Sequence, residues 1–261
     1  MTIFTHEMRQ GRLALILWSV AISWMLGICI IIYPEMAGQM DQISRMFADM
    51  GSFSAAFGMD QINFGEFSGY FGIECGNVLG LGGGLFAALL GINALSKEER
   101  QGTADFLLSH PISRMQVLVG KFLSIVTKLL LLNTLVALVC LGATALIGES
   151  LEGKVFFCIF LSYFLMGLEI SCLSFALSAC FRDGGLGVGI GLSLGLYFCN
   201  ILSNLTEEIQ FLKYFTPYSF TDSAYIMEHQ GIESKYLLTG MSISLIAVLI
   251  GTLYYRKKDI V

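Results

Sequence analysis

The sequence predicts an all-α protein with six transmembrane helices. Hydrophobic residues make up 55% of the 261 residues and charged residues only 13%, against roughly 25% charged in soluble domains. Mean hydropathy is +0.73. Crossing about 30 Å of hydrocarbon takes about 20 helical residues, and six apolar runs are about that long or longer. They cover residues 13–33, 70–95, 129–148, 155–181, 185–204 and 236–255. One membrane domain over residues 1–261 therefore accounts for the chain.

The first elements are a short N-terminal segment and span one. Residues 1–12 can form a helix with Phe4 and Met8 on one side, lying in the membrane interface; a frayed terminus is the alternative. The apolar stretch that follows is too long for the core of a secretory signal, and no cleavage site of small residues precedes Pro34. We therefore interpret span one as a retained anchor.

Two larger segments, residues 34–69 and 205–235, lie on the side opposite the chain ends. The first has methionines at helical spacing between Met36 and Met50, typical of an amphipathic helix; packing and a soft copper-binding surface are both compatible with this stripe. The second has apolar residues on both sides of Pro217, which predicts two short helices broken at that proline.

A polar stretch, residues 96–117, separates spans two and three. Ser96 with Glu99 forms one capping-box pattern, and Ser113 with Gln116 forms a second that opens the helix of span three. Between them, Pro111 prevents a helix from running through. The sequence therefore predicts a helix, a stop and a new start within this loop.

Lysine and arginine are distributed unequally over the two sides. Eleven lie on the side that holds both chain ends and the loop at residues 96–117, and four lie on the other side. The positive-inside rule therefore predicts cytoplasmic termini and a cytoplasmic loop. The basic residues follow this topology and form no patch, which argues against nucleic-acid binding. The seven cysteines include no Cys-x-x-Cys pair, and we interpret them as small buried hydrophobes without a metal.

The loop has the order Glu-Glu-x-x-Gly-Thr-x-x-x-Leu-Leu-x-x-Pro-Ile-Ser-Arg from Glu98 to Arg114, followed by Gly120-Lys121-Phe122. This order resembles the loop between spans two and three in membrane subunits of type-2 ABC exporters, including the permeases of nitrous oxide reductase maturation transporters. The resemblance implies a multi-pass permease of a bacterial plasma membrane. In that family the outer region between spans five and six commonly dips into the membrane as a gate; a surface hairpin is the alternative here.

The resemblance also implies partners and a coupling loop. The partners would be two copies of an ATPase subunit, which hold ATP and magnesium, and a second copy or a sister permease; this chain itself would bind no cofactor. Within the loop, Glu98, Glu99, Arg100 and Arg114 would be charged contacts with the ATPase. An apolar anchor of Phe106, Leu107 and Leu108 and an elbow at Pro111 would complete the coupling element.

Motifs for catalysis are weak. Neither glycine-lysine pair, at Gly120 or at Gly153, completes a P-loop, because Phe122 and Val155 stand where the following hydroxyl is required, so this chain cannot itself be the ATPase. Ser193 matches G-x-S-x-G, but the three histidines fall outside the spans, which argues against an intramembrane hydrolase. The main alternative to an ABC permease is a membrane protein without ATP coupling, either a secondary carrier or an assembly factor.

Few polar side chains fall inside the spans. A charge near the bilayer centre costs about 2.5–3.5 kcal/mol on insertion scales, so Glu169 requires a partner or an aqueous path. Glu74 lies nearer the outer interface. Both are candidates for the translocation path, and a hydrogen bond between helices is the alternative for Glu169. Glycines at positions 187, 191 and 195 share one helix face, which predicts tight packing of span five.

Overall fold

The computed structural model describes residues 2–38, 66–100, 102, 113–181 and 185–257, with only the backbone described for residues 2, 98–100 and 207. All regular secondary structure in these ranges is helical, and six helices are long and apolar enough to cross a membrane. The predicted fold class is confirmed. The methionine stripe between Met36 and Met50 lies largely outside the described residues.

The helices follow the predicted order. The N-terminal helix is Thr2–Gln10, and span one is Arg12–Ala37. Span two consists of Phe67–Glu74, a π-helical turn at Cys75–Gly80 and Leu81–Arg100. The remaining spans are Arg114–Ile147, Gly153–Cys180, Leu186–Leu205 and Ser234–Lys257. Between spans five and six lie two 3₁₀ helices, Glu207–Tyr214 and Pro217–Thr221, and the short helix Ser223–His229.

One of the two predicted capping boxes forms. Ser113 Oγ accepts the Gln116 backbone N–H at 3.2 Å, and Gln116 Oε1 accepts the Ser113 N–H at 3.0 Å, so span three begins as predicted. The predicted helix start at Ser96 is wrong. Ser96 lies inside the helix that ends at Arg100, and its hydroxyl donates to the Ile92 carbonyl at 2.7 Å. A serine hydroxyl inside a helix can donate to the carbonyl one turn earlier, and it then does not act as a helix cap.

Spans two and four form the centre of the bundle. In the most apolar 18-residue window of each, 61% of residues are buried, against 17% in span five. Small residues allow close approach: a Cβ at Gly91 in span two would collide with the Ser171 backbone, and one at Gly251 in span six would lie 2.8 Å from Ala176 Cα. Spans two and six therefore both pack tightly on span four.

Span five packs differently from the prediction. A Cβ at Gly187, Gly191 or Gly195 would meet no described atom within 4 Å. The glycine in close contact is Gly189, where a Cβ would lie 2.8 Å from Ile92 in span two. The regular glycine face therefore points away from the described bundle, because a spacing of four residues specifies a shared face but not its neighbour.

Candidate functional site

A single carboxylate joins the N-terminal helix to the ends of spans two and three. Lys97 Nζ lies 3.0 Å from both carboxylate oxygens of Glu7, and Lys121 Nζ lies 3.2 Å from Oε1. Lys97 also donates to Gln10 Oε1 at 2.6 Å, and Lys121 donates to the Ala94 carbonyl at 2.6 Å. We call Glu7, Lys97 and Lys121 the Glu7 cluster. Lys97 lies at the start of the predicted coupling loop and Lys121 lies four residues after its end, so the cluster connects the two ends of that loop.

The Glu7 cluster is buried. Glu7 is 8% exposed and Lys121 is 1% exposed. Burial alone would raise the pKa of Glu7, but the charges of Lys121 and Lys97 together outweigh burial and lower this pKa below its usual value. The carboxylate is therefore ionised at neutral pH. Removing one member of a buried ion pair typically costs about 3–5 kcal/mol, because the remaining charge is left uncompensated.

The Gly120-Lys121 pair serves this contact. A Cβ at Gly120 would lie 3.1 Å from Ile3, so the glycine lets the N-terminal helix lie against span three. The next residue, Lys121, then reaches Glu7 from the same part of span three. The N-terminal helix predicted from Phe4 and Met8 thus forms, and it packs on the bundle. A lysine after a glycine has a structural use here that is unrelated to phosphate binding.

Arg114 ties the start of span three to the end of span six. Its Nη1 donates to the Tyr255 carbonyl at 3.3 Å and to the Arg256 carbonyl at 3.1 Å. These carbonyls lie in the last turn of span six, where cations are favoured and carbonyls lack partners within the helix. Arg114 therefore holds two spans together, and its contact with the ATPase, which the family resemblance implies, stays a prediction.

The other predicted coupling residues are less fully described. Glu98, Glu99 and Arg100 are the last residues of the span-two helix, and the structure describes only their backbone. The apolar anchor and the elbow lie outside the described residues: Phe106, Leu107, Leu108 and Pro111.

Glu169 lies in the middle of span four and faces span six. It is 1% exposed, and a Cβ at Gly240 would collide with its Oε2 and lie 3.1 Å from Phe220. Among the described residues, this Oε2 has no hydrogen-bond partner. Gly240 therefore leaves the space that the carboxyl group fills. Within the described part of the chain, Oε2 therefore does not make the hydrogen bond between helices that was the alternative for Glu169.

The segment Pro217–Thr221 enters the helical bundle. All five of its residues are buried. The preceding Thr216 donates its hydroxyl to the Leu196 carbonyl at 2.9 Å, and Leu196 lies about 14 Å from the end of span five at 1.5 Å per residue. The segment is broken before Pro217, as predicted, but it inserts between spans and is not a surface hairpin. We call it the inserted segment.

Tyr218 marks how deep the inserted segment reaches. Its hydroxyl lies 3.4 Å from Ser193 Oγ, and a Cβ at Gly84 would collide with it. Ser193 is fully buried, and its hydrogen-bond partner is this tyrosine. Of the described histidines, His6 lies on the N-terminal helix and His229 stacks on Tyr225. The G-x-S-x-G pattern therefore supplies a contact between helices here.

A polar cavity of about 100 Å³ lies between the inserted segment, span five and the π-helical turn. Its wall includes amides, tyrosines and an aspartate: Asn77, Asn200, Asn204, Tyr163, Tyr197, Tyr218 and Asp222. A cavity of this size and polarity can hold a few water molecules. Glu74 immediately precedes the π-helical turn but lies beside the Cys29 thiol of span one, and neither Glu74 nor Glu169 lines this cavity. The two carboxylates proposed for one path thus contact different neighbours.

Comparison with known proteins decides the family. The model of the family described as ABC-2 family transporter protein matches residues 1–260. The chain belongs to this family. It is 34% identical over 126 residues to the probable ABC transporter permease protein NosY of Pseudomonas aeruginosa, a match that covers 45% of this chain and 44% of that protein. The ABC-2 chain is therefore a multi-pass membrane protein, and the family resemblance found in its loop is confirmed.

Three parts of the site were missed in the sequence. Glu7 joins lysines that are 90 and 114 positions away, so no local pattern contains the cluster. The π-helical turn has no established sequence signature, although Gly76 and Gly80 within it are consistent with the close approach of Tyr163. The polar cavity could have been suspected from Asn77, Asn200 and Asn204, which are asparagines in the outer halves of spans two and five.

Proposed function

We propose that this ABC-2 chain is the membrane subunit of an ATP-driven exporter and that it works with two copies of a separate ATPase subunit. A second copy of the chain or a sister permease would complete the membrane part. ATP and magnesium would be held by the ATPase, because this chain has no P-loop sequence. The family assignment and the Glu7 cluster at the two ends of the loop support this proposal.

Force from the ATPase would enter through the loop at residues 96–117. Glu98, Glu99 and Arg100 would make charged contacts, Phe106, Leu107 and Leu108 would be the apolar anchor, and Pro111 would keep the loop rigid. Because Lys97 and Lys121 share Glu7, displacement of the loop would move the ends of spans two and three together with the N-terminal helix. Arg114 would extend this displacement to span six.

The outer half of the path would pass the polar cavity. Asn77 and Asn200 offer polar surface there, and the inserted segment closes the space between spans two and five. Withdrawal of Tyr218 from Ser193 and Gly84 would open it, which makes the inserted segment the gate. Glu74 would contribute at the outer end of span two, and Glu169 would adjust the contact between spans four and six during this change.

The coupling proposal is tested with Glu99→Lys and Leu107→Asp. Loss of a hot-spot residue at an interface costs about 2 kcal/mol or more, so the Leu107→Asp variant should bind its ATPase partner at least about tenfold more weakly. Glu228→Lys is the matched control for charge reversal. The Glu228 side chain is 79% exposed and belongs to the connection from span five to span six, away from the loop at residues 96–117. ATPase stimulation and co-purification are measured on the complex in lipid nanodiscs.

The outcome separates the two candidate functions. Uncoupled ATPase activity in both loop variants, with normal coupling in the control, supports an ABC permease. If the chain binds no ATPase and both loop variants transport normally, the chain is a carrier or assembly factor without ATP coupling.

A further inference from the structure

A larger cavity, of about 410 Å³, lies beside the Glu7 cluster at the N-terminal end of span one. Three lysines and one glutamate contribute to its wall: Lys97, Lys121, Lys128 and Glu7. The rest of the wall includes large apolar side chains from four spans: Trp18, Phe86, Leu89, Leu90, Ile125 and Leu186. Along span two, Phe86 lies about 16 Å from Lys97 at 1.5 Å per residue. The cavity therefore combines a cationic region with a long apolar wall.

Lys128 is the unexplained charge in this cavity. Lys97 and Lys121 both contact Glu7, but Lys128 has no hydrogen-bond or ion-pair partner among the described residues, although it is only 4% exposed. A buried cation is costly unless it is paired. Its ammonium group extends along Gly11, where a Cβ would lie 2.8 Å from Lys128 Cε. Gly11 thus leaves room for a lysine that has no direct ion pair among the described residues, although the more distant charge of Glu7 acts on it.

The position of the cavity indicates where such an anion comes from. Ala14 of span one and Leu186 of span five line it, and both are exposed on the surface of the bundle. Trp18, on span one, lies against Phe86 of span two with ring centroids 5.8 Å apart. The cavity therefore opens on the surface of the described bundle beside span two, near the level where phospholipid headgroups begin. Basic pockets between transmembrane helices at this level bind anionic lipid headgroups.

We propose that this cavity binds one anionic phospholipid, with its phosphate at Lys128 and an acyl chain along Trp18 and Phe86. A free phosphate ester would satisfy the same lysine, but the apolar wall favours the lipid. The site lies in the leaflet that the distribution of lysine and arginine predicts to be cytoplasmic. A lipid held there lies against the N-terminal helix and the first turns of span three. It therefore joins the elements that the Glu7 cluster connects.

Native mass spectrometry of the purified full-length protein tests this proposal. The protein is delipidated and titrated with phosphatidylglycerol or phosphatidylcholine of the same acyl chains. One phosphatidylglycerol should bind at least about tenfold more tightly than phosphatidylcholine. Lys128→Gln should weaken phosphatidylglycerol binding about fivefold, which corresponds to about 1 kcal/mol per lysine near a membrane surface. Lys128→Arg should keep the preference.

The controls separate the lipid from other anions and from charge in general. Lys257→Gln removes one exposed cation at the same end of the bundle and should leave lipid binding unchanged. Glycerol 3-phosphate carries the phosphate without acyl chains and should fail to displace the lipid at equal concentration. Equal binding of the two lipids by the unmodified protein would overturn the proposal without any variant. Displacement by glycerol 3-phosphate, or equal losses in Lys128→Gln and Lys257→Gln, would overturn it too.

Discussion

Replacing Glu7 with Gln measures what the Glu7 cluster contributes to stability. The change keeps the size of the side chain but leaves Lys97 and Lys121, whose side chains are 15% and 2% exposed, without their shared anion. Because Lys97 is partly solvated, we expect the lower end of the range for breaking a buried pair, about 3 kcal/mol. For a chain of this size, this corresponds to a melting temperature lower by about 6–12 °C.

Thermal unfolding of the purified protein in one detergent at pH 7 gives this difference. Glu35→Gln is the control, because Glu35 is exposed near the opposite end of span one and makes no comparable contact with lysine among the described residues. A double-mutant cycle with Lys97→Met then isolates the pair. If Glu7→Gln melts like the unmodified protein, or if the two changes are simply additive, Glu7 does not hold the ends of spans two and three together.

The pH dependence follows from the pKa of Glu7. Because the folded protein holds this pKa below 4.5, its stabilising contribution is present above pH 4.5 and is lost as the pH falls through the folded pKa. The difference between the unmodified protein and Glu7→Gln should therefore be constant from pH 7 to pH 5 and shrink only below about pH 4.5. A difference that already disappears near pH 6 would contradict the lowered pKa.

Three further predictions concern the spans. Glu169→Ala should impair assembly or transport. Glu169→Gln fills the same space opposite span six and should retain both. Loss of transport by an assembled Glu169→Gln variant would show that the ionisable group itself is needed. Gly251→Leu should destabilise the bundle by about 1–3 kcal/mol through overpacking, while Gly142→Leu, with no described atom within 4 Å of an added Cβ, should melt normally. Ser113→Ala should cost about 1 kcal/mol and speed hydrogen exchange at the Gln116 amide, and unchanged exchange would contradict the cap seen at span three.

Physical rules that act locally made much of the fold predictable. A helix that crosses lipid must be long and apolar, so the spans are visible in composition, and the Ser113 cap follows from residues three positions apart. At Ser96 the same capping-box pattern wrongly predicted a helix start. The helix of span two continues through Ser96, and the Ile92 carbonyl accepts its hydroxyl. The Glu7 cluster and the inserted segment depend on contacts between distant residues. A hydrophobicity pattern cannot specify which helix Glu7 or Tyr218 will meet.

The π-helical turn at Cys75–Gly80 has a consequence for how span two tolerates changes in length. A π-helical turn holds one residue more than an α-helical one, and each added residue rotates the following part of a helix by about 100°. The outer end of span two therefore owes its orientation to one extra residue, and this orientation sets Tyr70 5.1 Å from Tyr33 and Phe71 5.9 Å from Phe156 between ring centroids. Deleting one residue here would restore an unbroken α-helix and turn both rings away from these partners. Deletion of one residue in this turn would therefore rotate the whole outer end of span two. It should destabilise the protein more than most substitutions at the same positions.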